Sequence, residues 1–132
     1  MMKWLNSLQP FGALLMRLAL GASMIVHSYD KVIPHGALNH YAHYIASLGM
    51  PYWLGYVSAF TEFAGGIILI LGLLTRFAAF MISINMAFAI ILVNRHHGYS
   101  GSEYSLALFV IAVMLTFYGA GALALDRKIG FV

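Results

Sequence analysis

Long apolar runs alternate with short polar breaks along this chain, and their lengths predict helices throughout. After a polar-amphipathic start over residues 1–9, Pro10 sits where a first helical turn tolerates it, and an apolar run follows from Phe11 to about Ile33. Pro34 ends that run, because proline removes a backbone donor and disfavours helical geometry just before it. Residues 37–48 differ. Leu38, Tyr41, Ala42, Ile45 and Leu48 share one helical face while His40, His43, Tyr44 and Ser47 take the other, the pattern of a short helix lying at an interface. Gly49 suits a C-terminal cap and Pro51 restarts the chain. Further apolar runs cover about residues 52–74, 76–94 and 104–125, with Thr75 placed to cap the third and Ser100 and Glu103 at capping-box spacing before the fourth. About 20 apolar residues cross a hydrocarbon core about 30 Å thick. The expected fold class is therefore an all-α membrane protein, a four-transmembrane-helix bundle in one domain, residues 1–132, with a short interfacial helix between helices one and two.

Composition supports the same class. The 132 residues are 62% hydrophobic and only 8% charged, against about a quarter charged in soluble domains, so the lipid bilayer is the expected solvent. No room is left for a large soluble catalytic domain. With no cysteine, the chain cannot itself exchange thiols and disulfides or ligate an iron–sulfur cluster or a cysteine zinc site. The net charge of +3 comes with seven scattered Lys and Arg that form no patch, so nucleic acid is not an expected partner. Lys3 ahead of an apolar stretch with small residues near Gly21 to Ser23 imitates a secretory signal, but the apolar run continues past any cleavage site. Lys3, Arg76, Arg127 and Lys128 fall on one side of the spans and Lys31 and Arg95 on the other. That excess puts both termini of a multi-pass inner-membrane protein in the cytoplasm.

Polar groups inside apolar runs need a reason. Glu62 lies ten residues beyond Tyr52, about 15 Å deep at 1.5 Å per residue, and must be protonated or paired. Arg17 and Asn85 lie at depths from which an Arg17–Asn85–Glu62 network is expected, either handling protons or ligand or fixing helix packing. Near the outer surface His27, Asp30 and Lys31 share a helical face at i, i+3 and i+4 spacing, and Tyr56 belongs to a belt of aromatics at the same level. Such groups can serve a quinone headgroup, which needs a flat apolar slot and donors for its carbonyls. Six histidines also raise metal and haem readings. His40, His43, His96 and His97 are the metal candidates, and His27 with His96 or His97 the haem pair, but no HExxH-type spacing occurs. Histidines populating the membrane–water boundary account for the pattern without either group.

In order and spacing these pieces resemble the DoxX family of small bacterial four-helix membrane proteins. The resemblance runs through Arg17-Leu18 with Gly21, then His27 and Lys31; through Leu48-Gly49-Met50-Pro51; through Glu62 with Gly65-Gly66, Leu71-Gly72-Leu73 and Thr75-Arg76; and through Gly119-Ala120-Gly121 with Leu125-Asp126. Ser28 stands where the family usually has glycine. The resemblance implies a quinone- or quinol-binding or partner-docking subunit of a membrane oxidoreductase system, electrons entering through a redox-protein partner or a larger membrane complex. Alternatives are a non-catalytic scaffold subunit that stabilises a larger membrane complex, and a small-solute or proton pathway; a homo-oligomer is a further expected association.

Overall fold

The computed structural model describes residues 2–92 and 98–126, and within them the chain is all-helical: α1 (Lys3–Asn6), α2 (Gln9–Val32), α3 (Ala37–Ser47), α4 (Trp53–Leu71), α5 (Thr75–Leu92) and α6 (Gly98–Tyr118), with no strand. Helices α2, α4, α5 and α6 pack in that order into a ring that α6 closes against α2, and α3 lies across α2 and α4. Leu20, Met24, Leu69, Ile82, Met86 and Leu115 fill the centre of the ring. The outside is the reverse of a water-soluble surface, with Leu15 69%, Val26 74% and Phe117 77% exposed. So continuous an exposed apolar belt suits hydrocarbon rather than water. Of the described helices, α2 and α4 are long and apolar enough to cross a bilayer, while α5 and α6 contribute shorter apolar stretches, Thr75–Ile91 and Glu103–Tyr118.

Small residues set the closest approaches. A Cβ on Gly66 would lie 2.7 Å from the Gly21 carbonyl oxygen and 2.9 Å from Ile25 Cγ1, so α2 and α4 cross backbone to backbone at this pair. Gly66→Ala is therefore expected to destabilise the fold by about 1–3 kcal/mol, the cost of forcing an extra carbon into a packed contact. Gly12, whose Cβ would meet nothing within 4 Å, is the control: Gly12→Ala should be neutral or slightly stabilising. Denaturant titration of the detergent-solubilised protein measures both.

Helix ends depart from the sequence reading at two places. Helix α4 stops at Leu71 rather than near Leu74, because Gly72 adopts φ +72° and its N–H and that of Leu73 bond back to Leu69 and Ile68, a Schellman closure. Helix α6 runs Gly98–Tyr118 rather than about 104–125, so Ser100 lies inside it and not at its cap. Its end is set by Gly119 and Gly121, at φ +99° and +78°, which turn the chain back across the mouth of the ring. Residues 119–126 form a strap there. The Ala122 N–H bonds to the Pro10 carbonyl at 3.0 Å and the Asp126 N–H to the Gly72 carbonyl at 2.9 Å. The Asp126 carboxylate accepts from the N–H groups of Leu74 (2.5 Å) and Thr75 (2.8 Å). Helix α5 is thus capped by a carboxylate from the far end of the chain rather than by the Thr75 hydroxyl.

Candidate functional site

Two helical stripes face each other in the half of the ring next to α3. Helix α4 presents Leu54, Val57, Ser58, Thr61 and Glu62, and α5 presents Met81, Ile84, Asn85 and Phe88, both at i, i+3, i+4 and i+7 spacing. Glu62 is 2% exposed, and a carboxylate so placed needs a cation and donors. Lys31 supplies the first, its Nζ 3.1 Å from Oε2 and 3.3 Å from Oε1. Asn85 supplies the second, Nδ2 donating to Oε1 at 2.7 Å. The Ser58 hydroxyl donates to Asn85 Oδ1 at 2.6 Å, and Tyr41 OH lies 3.2 Å from Ser58 Oγ. Lys31 Nζ also sits 4.4 Å from the centre of the Tyr41 ring, a cation–π contact. Five side chains from four helices thereby form one connected network.

Beside this network lies a cavity of about 500 Å³. Ile45, Leu48, Met50, Leu54, Met86 and Phe88 are among its apolar walls, and His27, Lys31, Ser58, Glu62, Asn85 and Tyr104 are among its polar groups. His27 leans on the Tyr104 ring, centroids 6.1 Å apart. Lys31, Tyr41 and Tyr44 also line a second, outer recess together with Asp30, His35 and His40. They are therefore the partition between an apolar chamber and a polar one.

The sequence-derived network is corrected at one member. Glu62 and Asn85 do meet, but Arg17 joins neither. It is 1% exposed, and its guanidinium donates to the carbonyls of Ala120 (2.8 Å), Ala122 (3.2 Å) and Leu123 (2.9 Å), fastening the strap. The Gly21–Gly66 crossing explains why. In the antiparallel pair Glu62, four residues before Gly66, stands level with Ile25, four after Gly21. Arg17 is then eight residues away, about 12 Å, and Lys31 six residues, about 9 Å. Side chains also lean toward the N-terminus of their own helix, which brings Lys31 and Glu62 together and carries Arg17 away.

The other candidates divide. His27 and Lys31 line the cavity, whereas Asp30 faces the outer recess. Tyr56 is not a lining residue. It bonds to Asn39 Oδ1 and to Tyr52 OH, the latter at 3.2 Å. His43 packs edge-on against Tyr52, centroids 5.0 Å apart, and His40 is in the recess. His96 and His97 lie outside the described residues, among which no three His, Asp or Glu come close enough to share a metal. Sequence reading missed Ser58, Tyr41 and Asp126 as working groups. Ser58 was detectable, standing one turn before Glu62 on the same face.

The network falls within a stretch shared with known proteins, since the DoxX family pattern matches residues 12–95. That span holds Lys31, Tyr41, Ser58, Glu62 and Asn85. The chain belongs to the DoxX family. A DoxX-family relationship extends over nearly the whole chain in Bacillus subtilis (strain 168), where a protein named "Putative oxidoreductase CatD" is 28% identical over 123 residues, 92% of this chain and 90% of its own length. An uncharacterized protein of Haemophilus influenzae is 38% identical over 79 residues, 54% of this chain and 59% of its own. No solved structure matches significantly. DoxX proteins are membrane-associated, in agreement with the apolar belt of this member.

Proposed function

We propose that this DoxX-family chain is a single domain, residues 1–132, that crosses the bacterial inner membrane four times with both termini in the cytoplasm. In this reading it is the quinone- or quinol-binding subunit of a membrane oxidoreductase system, exchanging electrons with a partner polypeptide. The observation that carries the reading is the cavity of about 500 Å³ whose apolar walls end in a cation–carboxylate pair with Glu62 buried and Lys31 partly so. A quinone ring is flat and apolar with an oxygen at each end, and the lining suits both of its redox forms. Lys31 is a donor for a carbonyl oxygen, Glu62 is an acceptor for a hydroxyl, and an uncharged imidazole at His27 would offer one nitrogen of each kind. When bound, such a ring supplies two-electron, two-proton chemistry, which no side chain of this cysteine-free sequence offers by a thiol.

The chain's own residues bind and orient. Asn85, itself held by Ser58, fixes the Glu62 carboxylate in one rotamer, so a single oxygen arrangement faces the chamber. Lys31 and Tyr41 separate the chamber from the recess of Asp30, His35 and His40. The protein purified gently and extracted into organic solvent is expected to carry close to one quinone per chain. Glu62→Gln should lose most of it while eluting at the same size. Wild-type protein that carries no quinone and fails to bind an added short-chain quinone overturns the reading, and collapse of the complex with Glu62→Gln would then favour a scaffold.

A further inference from the structure

We propose that the cavity opens sideways into the hydrocarbon between α4 and α5, and that this groove is a subsite for the hydrocarbon tail of a membrane-dissolved ligand. The inference rests on the ring-binding reading and adds the ligand's second half and its way in. Val57, Ile84 and Phe88 line the cavity and are also 45%, 39% and 50% exposed. Their exposure is to the outside of the ring, as their helices show. On α5 the exposed stripe Phe77, Phe80, Ile84, Phe88 and Ile91 begins at two residues that touch no part of the cavity. On α4 the stripe through Val57 continues to Phe60, Ile67 and Leu71, which likewise lie beyond it. The chamber therefore breaks through the outer apolar surface where the two stripes meet.

The groove's ends are closed. Toward the strap, α4 and α5 come together at Gly65, where a Cβ would lie 3.1 Å from Ile82 Cδ1. Toward α3, the lining continues over Ile45, Leu48 and Met50, which roof the groove. Between Leu54 and Thr61 it is about 10 Å long at 1.5 Å per residue, and its rim carries no charge. A water-borne ligand has no reason to use such an opening. The polar groups gather instead at Glu62, Lys31 and Asn85, on the inner side. An occupant matched to both regions has a polar ring against the ion pair and a hydrocarbon chain leaving between the helices.

The test uses the full chain in lipid nanodiscs with two probes, a tail-free benzoquinone and the same ring carrying a two-isoprene tail, each titrated by quenching of intrinsic fluorescence. Val57→Trp and Ile84→Trp narrow the opening from opposite sides, and Ile67→Trp, on the α4 stripe but outside the cavity, is the control. The narrowed variants are expected to bind the tailed probe at least tenfold more weakly and the tail-free probe within twofold of wild type, with Ile67→Trp unchanged for both. Equal loss of both probes, or no loss of either, overturns the subsite. Independently, a tailed probe with a photoreactive terminus should label wild-type peptides within residues 54–61 or 81–88, and labelling elsewhere overturns it. Wild-type protein that binds the tail-free ring and shows no preference for the tailed one rejects this inference alone. Failure to bind either probe rejects the ring-binding reading as well.

Discussion

Lys31→Met is expected to lower stability by about 3 kcal/mol, since it leaves the Glu62 carboxylate buried with Asn85 as its remaining donor, and removing one member of a buried ion pair costs far more than the pair is worth intact. The low end of the usual range of about 3–5 kcal/mol applies because the Lys31 side chain is 20% exposed whereas that of Glu62 is 3% exposed. Adding Glu62→Met should restore most of the loss, because the charge that lacked a partner goes with it. Denaturant unfolding of the four proteins of this double-mutant cycle in one detergent measures the coupling. Independent, additive losses would mean that the two groups do not depend on each other. The doubly substituted protein should remain folded yet fail to retain quinone, separating the network's part in binding from its part in packing.

Arg17→Leu is expected to cost about as much. Three carbonyls lose their donor, those of Ala120 and Ala122 in buried bonds and that of Leu123 in a partly buried one, and each buried unsatisfied group costs about 1–3 kcal/mol. The expected loss is about 3 kcal/mol, less than the sum because the strap can lift and let water in. Amide hydrogens of Ala122 and Asp126, now bonded to Pro10 and Gly72, should then exchange about 100-fold faster, at 1.4 kcal/mol per tenfold. Arg17→Lys should recover only part of this, because one ammonium cannot reproduce a fork that serves three oxygens. Unchanged exchange at these amides would show that the strap is held by its glycine turns alone. Quinone retention is expected to survive Arg17→Leu, in contrast to Lys31→Met, because Arg17 lines no part of the cavity.

Apolar run lengths and proline positions were enough to locate four of the helices, because helix formation in such segments follows from local composition. The short amphipathic α3 was readable for the same reason, from its two-faced pattern. Pairing was not local. Depth along a span placed Glu62 and Asn85 within reach of each other, yet depth alone named Arg17 as the cation. The correct partner follows from two further facts that the sequence does contain: Gly21 and Gly66 as the crossing point, and the lean of side chains toward their helix N-termini. The strap was less accessible. Residues 119–126 are apolar enough to extend a helix, and only the glycines at 119 and 121 hint that they turn away. That Asp126 would cap a helix beginning 51 positions earlier has no local signature at all.

The strap also bears on how the protein is made. Its residues leave the ribosome after every helix described here, yet they bond to Pro10 at the start of α2 and complete the N-terminus of α5. A nascent chain can insert its helices one after another, but Arg17 finds its acceptors only when synthesis has passed Leu123. Until then the growing bundle carries a buried-to-be guanidinium with nothing to hold, so chains truncated before residue 119 should be recognised as unfinished and removed by membrane quality control.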